Sequence, residues 1–215
     1  MPEPRGLVVD WGGVLTGDVR VAVRSWAESD GVPVDTYVAV IRDWMGEPYG
    51  AAARLNPIHA LERGEMTAPD FESRLATALT ERTGHPFAAD GLLERLFENF
   101  EHAPDMSALV RRARGAGLRT GLLSNSWGND YPRHGWEDMF DVVVISGEVG
   151  MRKPEPAIFE HILELMGLRA EECVFVDDLR HNVDAAVALG MLGVLHRSYE
   201  QTRLELEAVF GVPLS

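Results

Sequence analysis

The sequence predicts an α/β protein, a doubly wound (Rossmann-like) parallel sheet with an inserted helical cap domain. Three observations predict it. Short, β-branched apolar runs recur along the chain and each stops abruptly at polar residues. Amphipathic helical segments separate these runs, the alternation that builds parallel βαβ units. Between residues 18 and 102 the alternation breaks, and only helical patterns continue.

The elements follow in chain order. Leu7-Val8-Val9 runs into Asp10 and reads as a first strand buried on both faces. The insert carries helix-like stretches at Val21 to Glu28, Thr36 to Trp44, Asp70 to Arg82 and Gly91 to Phe100, with no convincing strand. From Met106 to Ala116 a helix is expected, with Gly117 as its stop. Thr120-Gly121-Leu122-Leu123 then runs into Ser124-Asn125, and Val142 to Ile145 into Ser146-Gly147. A Pro-rich start opens a helix over Pro156 to Met166, whose stripe is Ile158, Phe159, Ile162, Leu163 and Met166. Val174-Phe175-Val176 ends at Asp177-Asp178, an Ala-rich helix spans Asn182 to Leu189, and Leu192 to Leu195 is a fifth strand. The expected division is a core of residues 1–17 and 103–215 and a cap of residues 18–102. A helical lid beside a sheet's carboxyl edge covers a small-ligand site.

Composition narrows the partners. The 215 residues suit one domain plus an insert, and a formal charge of −14 argues against DNA or RNA held through their phosphates. A small phosphate ester stays compatible, because a metal or a local cation reverses the field within one pocket. The longest apolar runs are strand-sized, so no membrane partner is expected. Met1 to Arg5 lacks the pattern of a signal peptide, and the single Cys173 forms no internal disulfide; a cytoplasmic location is the expectation.

In a doubly wound sheet, ligands sit outside the carboxyl ends of the strands. Asp10, Ser124 and the Asp177-Asp178 pair all fall at such ends. If the first strand neighbours the one ending at Asp177, three carboxylates converge and call for a hard cation such as Mg²⁺. Four motifs in order, Val8 to Leu15, Leu122 to Asn125, Gly150 to Pro156 and Val174 to Asp178 with Asn182 beyond, resemble the haloacid dehalogenase-like (HAD) hydrolase superfamily. The resemblance covers essentially the whole chain. It is nearest the bacterial branch of small sugar-phosphate phosphatases and the epoxide-hydrolase phosphatase domain, whose cap also resembles Glu62-Arg63-Gly64-Glu65.

That resemblance implies a Mg²⁺-dependent phosphohydrolase acting on a small-molecule phosphate ester, possibly a sugar phosphate. Asp10 would be the nucleophile and form an aspartyl-phosphate. Asp10, the Gly12 carbonyl and Asp178 would bind Mg²⁺, with Asp177 near or on the metal. Ser124, the Asn125 backbone N–H and Lys153 would hold the phosphoryl group, and Asn182 would steady the acidic cluster. Trp11 and Trp127 could line the pocket, whereas Trp44 and Trp136 read as packing residues. Arg63 and Glu65, in a cap turn, would tune substrate choice.

One departure matters. Most phosphatases of this superfamily carry a general acid–base aspartate two residues after the nucleophile, and here that position is Gly12. Such a group contributes about 10² to 10⁴-fold in rate. Two other readings therefore stand beside the phosphatase: a catalytically weak member that binds a phosphorylated ligand or partner, and a metal-independent dehalogenase-type hydrolase, which the Asp177-Asp178 pair disfavours. Blander readings also exist. Ser124-Asn125 and Asp177-Asp178 could cap helices, and Lys153 could be a solvated lysine.

Overall fold

A computed structural model of the chain describes residues 3–45, 56–128 and 130–215. Five strands form one parallel sheet in the order β3-β2-β1-β4-β5: β1 (Gly6–Val9), β2 (Arg119–Ser124), β3 (Val142–Ile145), β4 (Cys173–Asp177) and β5 (Leu192–Leu195). The α/β class is as the apolar runs predict. Strand β1 lies at the centre, with Val9 opposite Leu122 of β2 on one side and Val176 of β4 on the other. The chain winds outward in both directions from β1, so a crevice opens at the carboxyl ends of the central strands.

Alternation along each strand sorts its side chains onto two covered faces. Leu7, Val9, Leu122, Val174 and Val176 pack with Met106, Leu109 and Val110 of α6 (Pro104–Gly115) and Leu206 and Phe210 of α10 (Tyr199–Phe210). Val8, Leu123 and Phe175 meet Ile158, Phe159 and Ile162 of α8 (Pro156–Met166) and Ala186 of α9 (Arg180–Ala188). Every one of these side chains except Met106 (2%) and Phe210 (9%) has no solvent exposure. Between them, α7 (Ser146–Val149) is a single turn after β3.

Among the described residues, five further α-helices lie between β1 and α6: α1 (Val19–Ser29), α2 (Val34–Met45), α3 (Pro57–Glu62), α4 (Ala68–Thr83) and α5 (Leu92–Phe97). They build a separate apolar cluster around Trp26, Phe71, Leu75, Leu79, Leu92 and Leu96. Helix α4 shows why its ends fall where they do. Thr67 accepts a hydrogen bond from the Asp70 N–H at the start, and Gly84 closes the end in a left-handed conformation, φ 74°. The two connections between cap and core run side by side: Thr16 and His102 form an antiparallel bridge, Gly17 N–H donates to Glu101, and Ala103 N–H donates to Leu15. Among the described residues, no helix is long and apolar enough to cross a membrane.

Candidate active site

Asp10 leaves β1 at its carboxyl end, where its N–H still donates to Val176 of β4 at 2.9 Å. Its Oδ1 accepts the Trp11 N–H at 2.7 Å, and the side chain is nearly buried. Parallel pairing of β1 with β4 brings Asp177 and Asp178 alongside it. One ligand atom from each of Asp10, Asp177 and Asp178 falls within 4.8 Å of the others.

Lys153 stands among these carboxylates with 1% exposure. Its Nζ lies 2.8 Å from Asp10 Oδ1 and 2.7 Å from Asp177 Oδ2. Burial alone would lower its pKa, but the two carboxylates outweigh burial and hold the ammonium charged, above the ordinary lysine value. The solvated-lysine reading is therefore wrong. Asn125 clamps its backbone from β2's end, accepting from Lys153 N–H at 2.9 Å and donating to its carbonyl at 3.0 Å.

Asp177 is fully committed. Its carboxylate accepts from Lys153, from Asn182 Nδ2 at 3.1 Å to both oxygens, and from Leu179 N–H at 2.8 Å. Asn182, expected to steady the cluster, thus touches Asp177 directly, while its own Oδ1 is buried without a donor among the described residues. Asp178 is less enclosed, and burial together with the Asp177 charge pushes its carboxyl up to about 6. Burial also raises Asp10 well above the carboxylate range; Lys153 pulls it back down and Asp177 pushes it further up. Two of three acidic groups thus sit in a field that one lysine does not neutralise.

The loop after Asp10 is shaped for close approach. Gly13 has φ 71°, and a Cβ there would fall 2.5 Å from Asp178 Oδ2, so only glycine fits. Gly12 differs: a Cβ would meet nothing nearer than Val19 Cγ2 at 3.9 Å. Ser124 caps no helix, because a loop follows β2. Its Oγ lies 3.0 Å from the Tyr131 hydroxyl. Burial, opposed by the Ser124 hydrogen bond, pushes that phenol up to about 12, so it stays protonated.

A cavity of 1010 Å³ opens above this cluster between core and cap; Asp10, Trp11, Gly12, Ser124, Asn125, Lys153, Asp178 and Asn182 form its floor, and Trp127 lines it too. Trp44 and Trp136 pack inside the cap and core, as expected. Arg63 and Glu65 require correction, since neither lines the cavity. The turn at Gly64 presses on the Gly147 carbonyl, 2.6 Å from where a Cβ would sit, and aims Arg63 at Glu65 (3.0 Å) and at Glu155 of the core (2.7 Å). Beside this turn it is Glu62 that lines the cavity, and its buried carboxylate pairs with Arg152 and accepts from Trp127 Nε1 at 3.3 Å. The pairing of Glu62 and the place of Tyr131 escape sequence reasoning because their partners are distant or lie across a loop without periodicity. A hint was the resemblance of Glu62-Arg63-Gly64-Glu65 to the cap of the related branch.

Comparison with known proteins agrees with this geometry. Residues 4–190 match the family model of haloacid dehalogenase-like hydrolases. The chain belongs to that family. It is 30% identical over 98% of its length to acyl-CoA dehydrogenase family member 10 of Mus musculus, of which it spans 19%. It is 36% identical to a phosphoserine phosphatase of Thermus thermophilus, over 83% of this chain and 75% of that protein. Among solved structures, a HAD family enzyme from Bacteroides thetaiotaomicron, in complex with magnesium and inorganic phosphate, superposes with a TM-score of 0.62. It is 21% identical and covers 90% of this chain and 94% of that one, a likeness of fold.

Proposed function

We propose that the chain is a Mg²⁺-dependent phosphohydrolase that cleaves a small phosphate ester through an aspartyl-phosphate on Asp10. The observation that carries this reading is Lys153, buried between Asp10 and Asp177 at the sheet's carboxyl edge. It holds one Asp10 oxygen and leaves the other for attack. A cytoplasmic location and a cap spanning residues 18–102 belong to the same reading.

The donor set fits a hard cation. Three carboxylates face one ammonium, the Asp10 and Asp178 carboxyls are both raised, and Asn182 Oδ1 lacks a donor. Asp10, the Gly12 carbonyl and Asp178 would hold Mg²⁺; Asp177, with both oxygens engaged, serves better as the anchor of Lys153 and Asn182. When bound, the ion supplies charge neutralisation to the phosphoryl oxygens. Ser124 Oγ and the Asn125 N–H bind those oxygens, with Tyr131 orienting Ser124, and Lys153 balances the charge as it moves from Asp10 to phosphate.

The chemistry balances as two displacements. A free Asp10 oxygen bonds to phosphorus as the ester P–O bond breaks, and the departing alkoxide takes a proton from water because Gly12 carries none. Water then attacks phosphorus, regenerating the carboxylate and releasing phosphate. Gly12 also favours the second reading, a weakly catalytic binder of phosphorylated ligands. A phosphate-release screen with and without Mg²⁺ separates them: EDTA-sensitive release supports the hydrolase. No release from any ester class, with retained phosphate binding, supports the binder. Undiminished phosphate release in EDTA would remove the metal from the mechanism, whereas halide release from a haloacid, with no phosphate release, would mark a dehalogenase-type site.

A further inference from the structure

The cavity above Asp10 carries a chemical signature of its own. Trp11 follows the nucleophile, and its indole stacks on Phe100 at 5.9 Å and 8° between planes; Phe100 in turn meets Phe97 at 5.1 Å. An aromatic path therefore leads from the reacting carboxylate up into the cap. Val23 and Ile41 continue the wall, and Met45, 38% exposed, stands at its edge. Val23, Ile41, Phe97 and Phe100 are only partly buried against the cap's own cluster, and all four line the cavity.

Several polar groups that line the cavity are already paired, although Tyr37, Asp105 and Arg197 line it too. Glu62 is paired with Arg152 and Trp127, Asp18 with Arg20 at the rim, His196 with Thr202 and Tyr199 with Arg112. A polyhydroxylated leaving group laid along the Trp11–Phe100–Phe97 side would set its hydroxyls against apolar surface, which disfavours it there. At 1010 Å³ the space reaches the upper end of small-molecule sites.

We infer that the substrate is the phosphate monoester of a large hydrocarbon alcohol, long-chain or fused-ring, and not a sugar phosphate. This rests on the phosphatase reading. The phosphate sits on the floor, the ester oxygen departs toward Trp11, and the hydrocarbon follows the Trp11–Phe100–Phe97 path.

The test uses 4-alkylphenyl phosphates from methyl to octyl, whose leaving-group acidity is nearly constant, so that only length varies. kcat/KM should rise about three- to fourfold per added methylene until the cavity is filled, and glucose 1-phosphate should be a poor substrate. Ile41→Asn should flatten the rise. An undiminished rise in a folded Ile41→Asn protein would place the chain elsewhere and overturn the inference. Affinity of the wild-type protein for n-alkylphosphonates, butyl to decyl, supplies a readout that needs neither turnover nor a variant. Hydrolysis that is flat across the series, or best with glucose 1-phosphate, overturns the inference while the phosphatase reading stands. Rising phosphonate affinity without hydrolysis keeps the hydrocarbon site and removes the phosphatase.

Discussion

Two neighbouring residues set what this site can and cannot do. Asp10 is a carboxylate that the fold buries at a cost, with its pKa raised mainly by burial. Asp10→Asn removes that charge, so the variant should unfold at the same temperature or higher while turnover falls on the order of 10⁴-fold or more. A variant that still releases phosphate at wild-type rate would remove Asp10 as nucleophile. Gly12 offers the opposite experiment. The space around it admits a side chain, with Val19 Cγ2 the nearest atom at 3.9 Å. Gly12→Asp should therefore be tolerated and should speed breakdown of the phosphoenzyme, by up to about 10²-fold. Rapid-quench measurement should show a burst in the wild type that shrinks in the variant; an unchanged burst would mean the new carboxyl does not reach the water. The places of Asp10 and Lys153 were legible in the sequence because one ends a strand and the other opens a Pro-rich turn within motifs that resemble the family's. That Asp177 spends itself on Lys153 and Asn182 was not, since it depends on which oxygen faces which donor.

At the scale of elements, helix α3 is the junction between cap and core. Its last residue, Glu62, pairs with Arg152 with both side chains under a tenth exposed, and its carbonyl accepts from Ser146 Oγ at 2.5 Å. Removing one partner leaves a buried charge alone, so Glu62→Ala should cost about 3–5 kcal/mol, whereas Glu62→Leu with Arg152→Met should recover most of it. Denaturant titration decides: a double variant no better than the single one would show that packing, not the ion pair, holds the junction. Helix α3 was also invisible in the sequence. Six residues give less than two turns, too short for a 3.6-residue period to show. Helix α10 went unread for another reason: its run from Tyr199 mixes acidic and apolar residues, and its buried stripe of Thr202, Leu206 and Phe210 has only two apolar members. The five strands were plain because a strand covered on both faces is apolar throughout.

Across the whole molecule, proton and metal compete for the same acidic pocket. The folded-state carboxyls of Asp10 and Asp178 are raised, Asp178 to about 6. The native state then binds more protons than the unfolded chain above the ordinary value of 3.8, and stability falls as pH rises through the raised values. Without metal, these groups should make the protein less stable at pH 8 than at pH 5.5. Mg²⁺ needs the deprotonated carboxylates, so its stabilisation should be larger at pH 8. Thermal melts at both pH values, with Mg²⁺ and with EDTA, measure this; an increment independent of pH would detach the metal from the cluster. The bridge between Thr16 and His102 has a consequence of another kind. Because the chain leaves the sheet and returns to it at adjacent points, the lid is an exchangeable part: removing it need not cut any strand of the sheet or reorder its connections. Joining Gly17 to Glu101 through an Asn-Gly turn should leave a smaller α/β protein that still melts cooperatively. Grafting a foreign lid at the same seam should give the nucleophile a new clientele, a route by which one reaction centre can be offered to many different molecules.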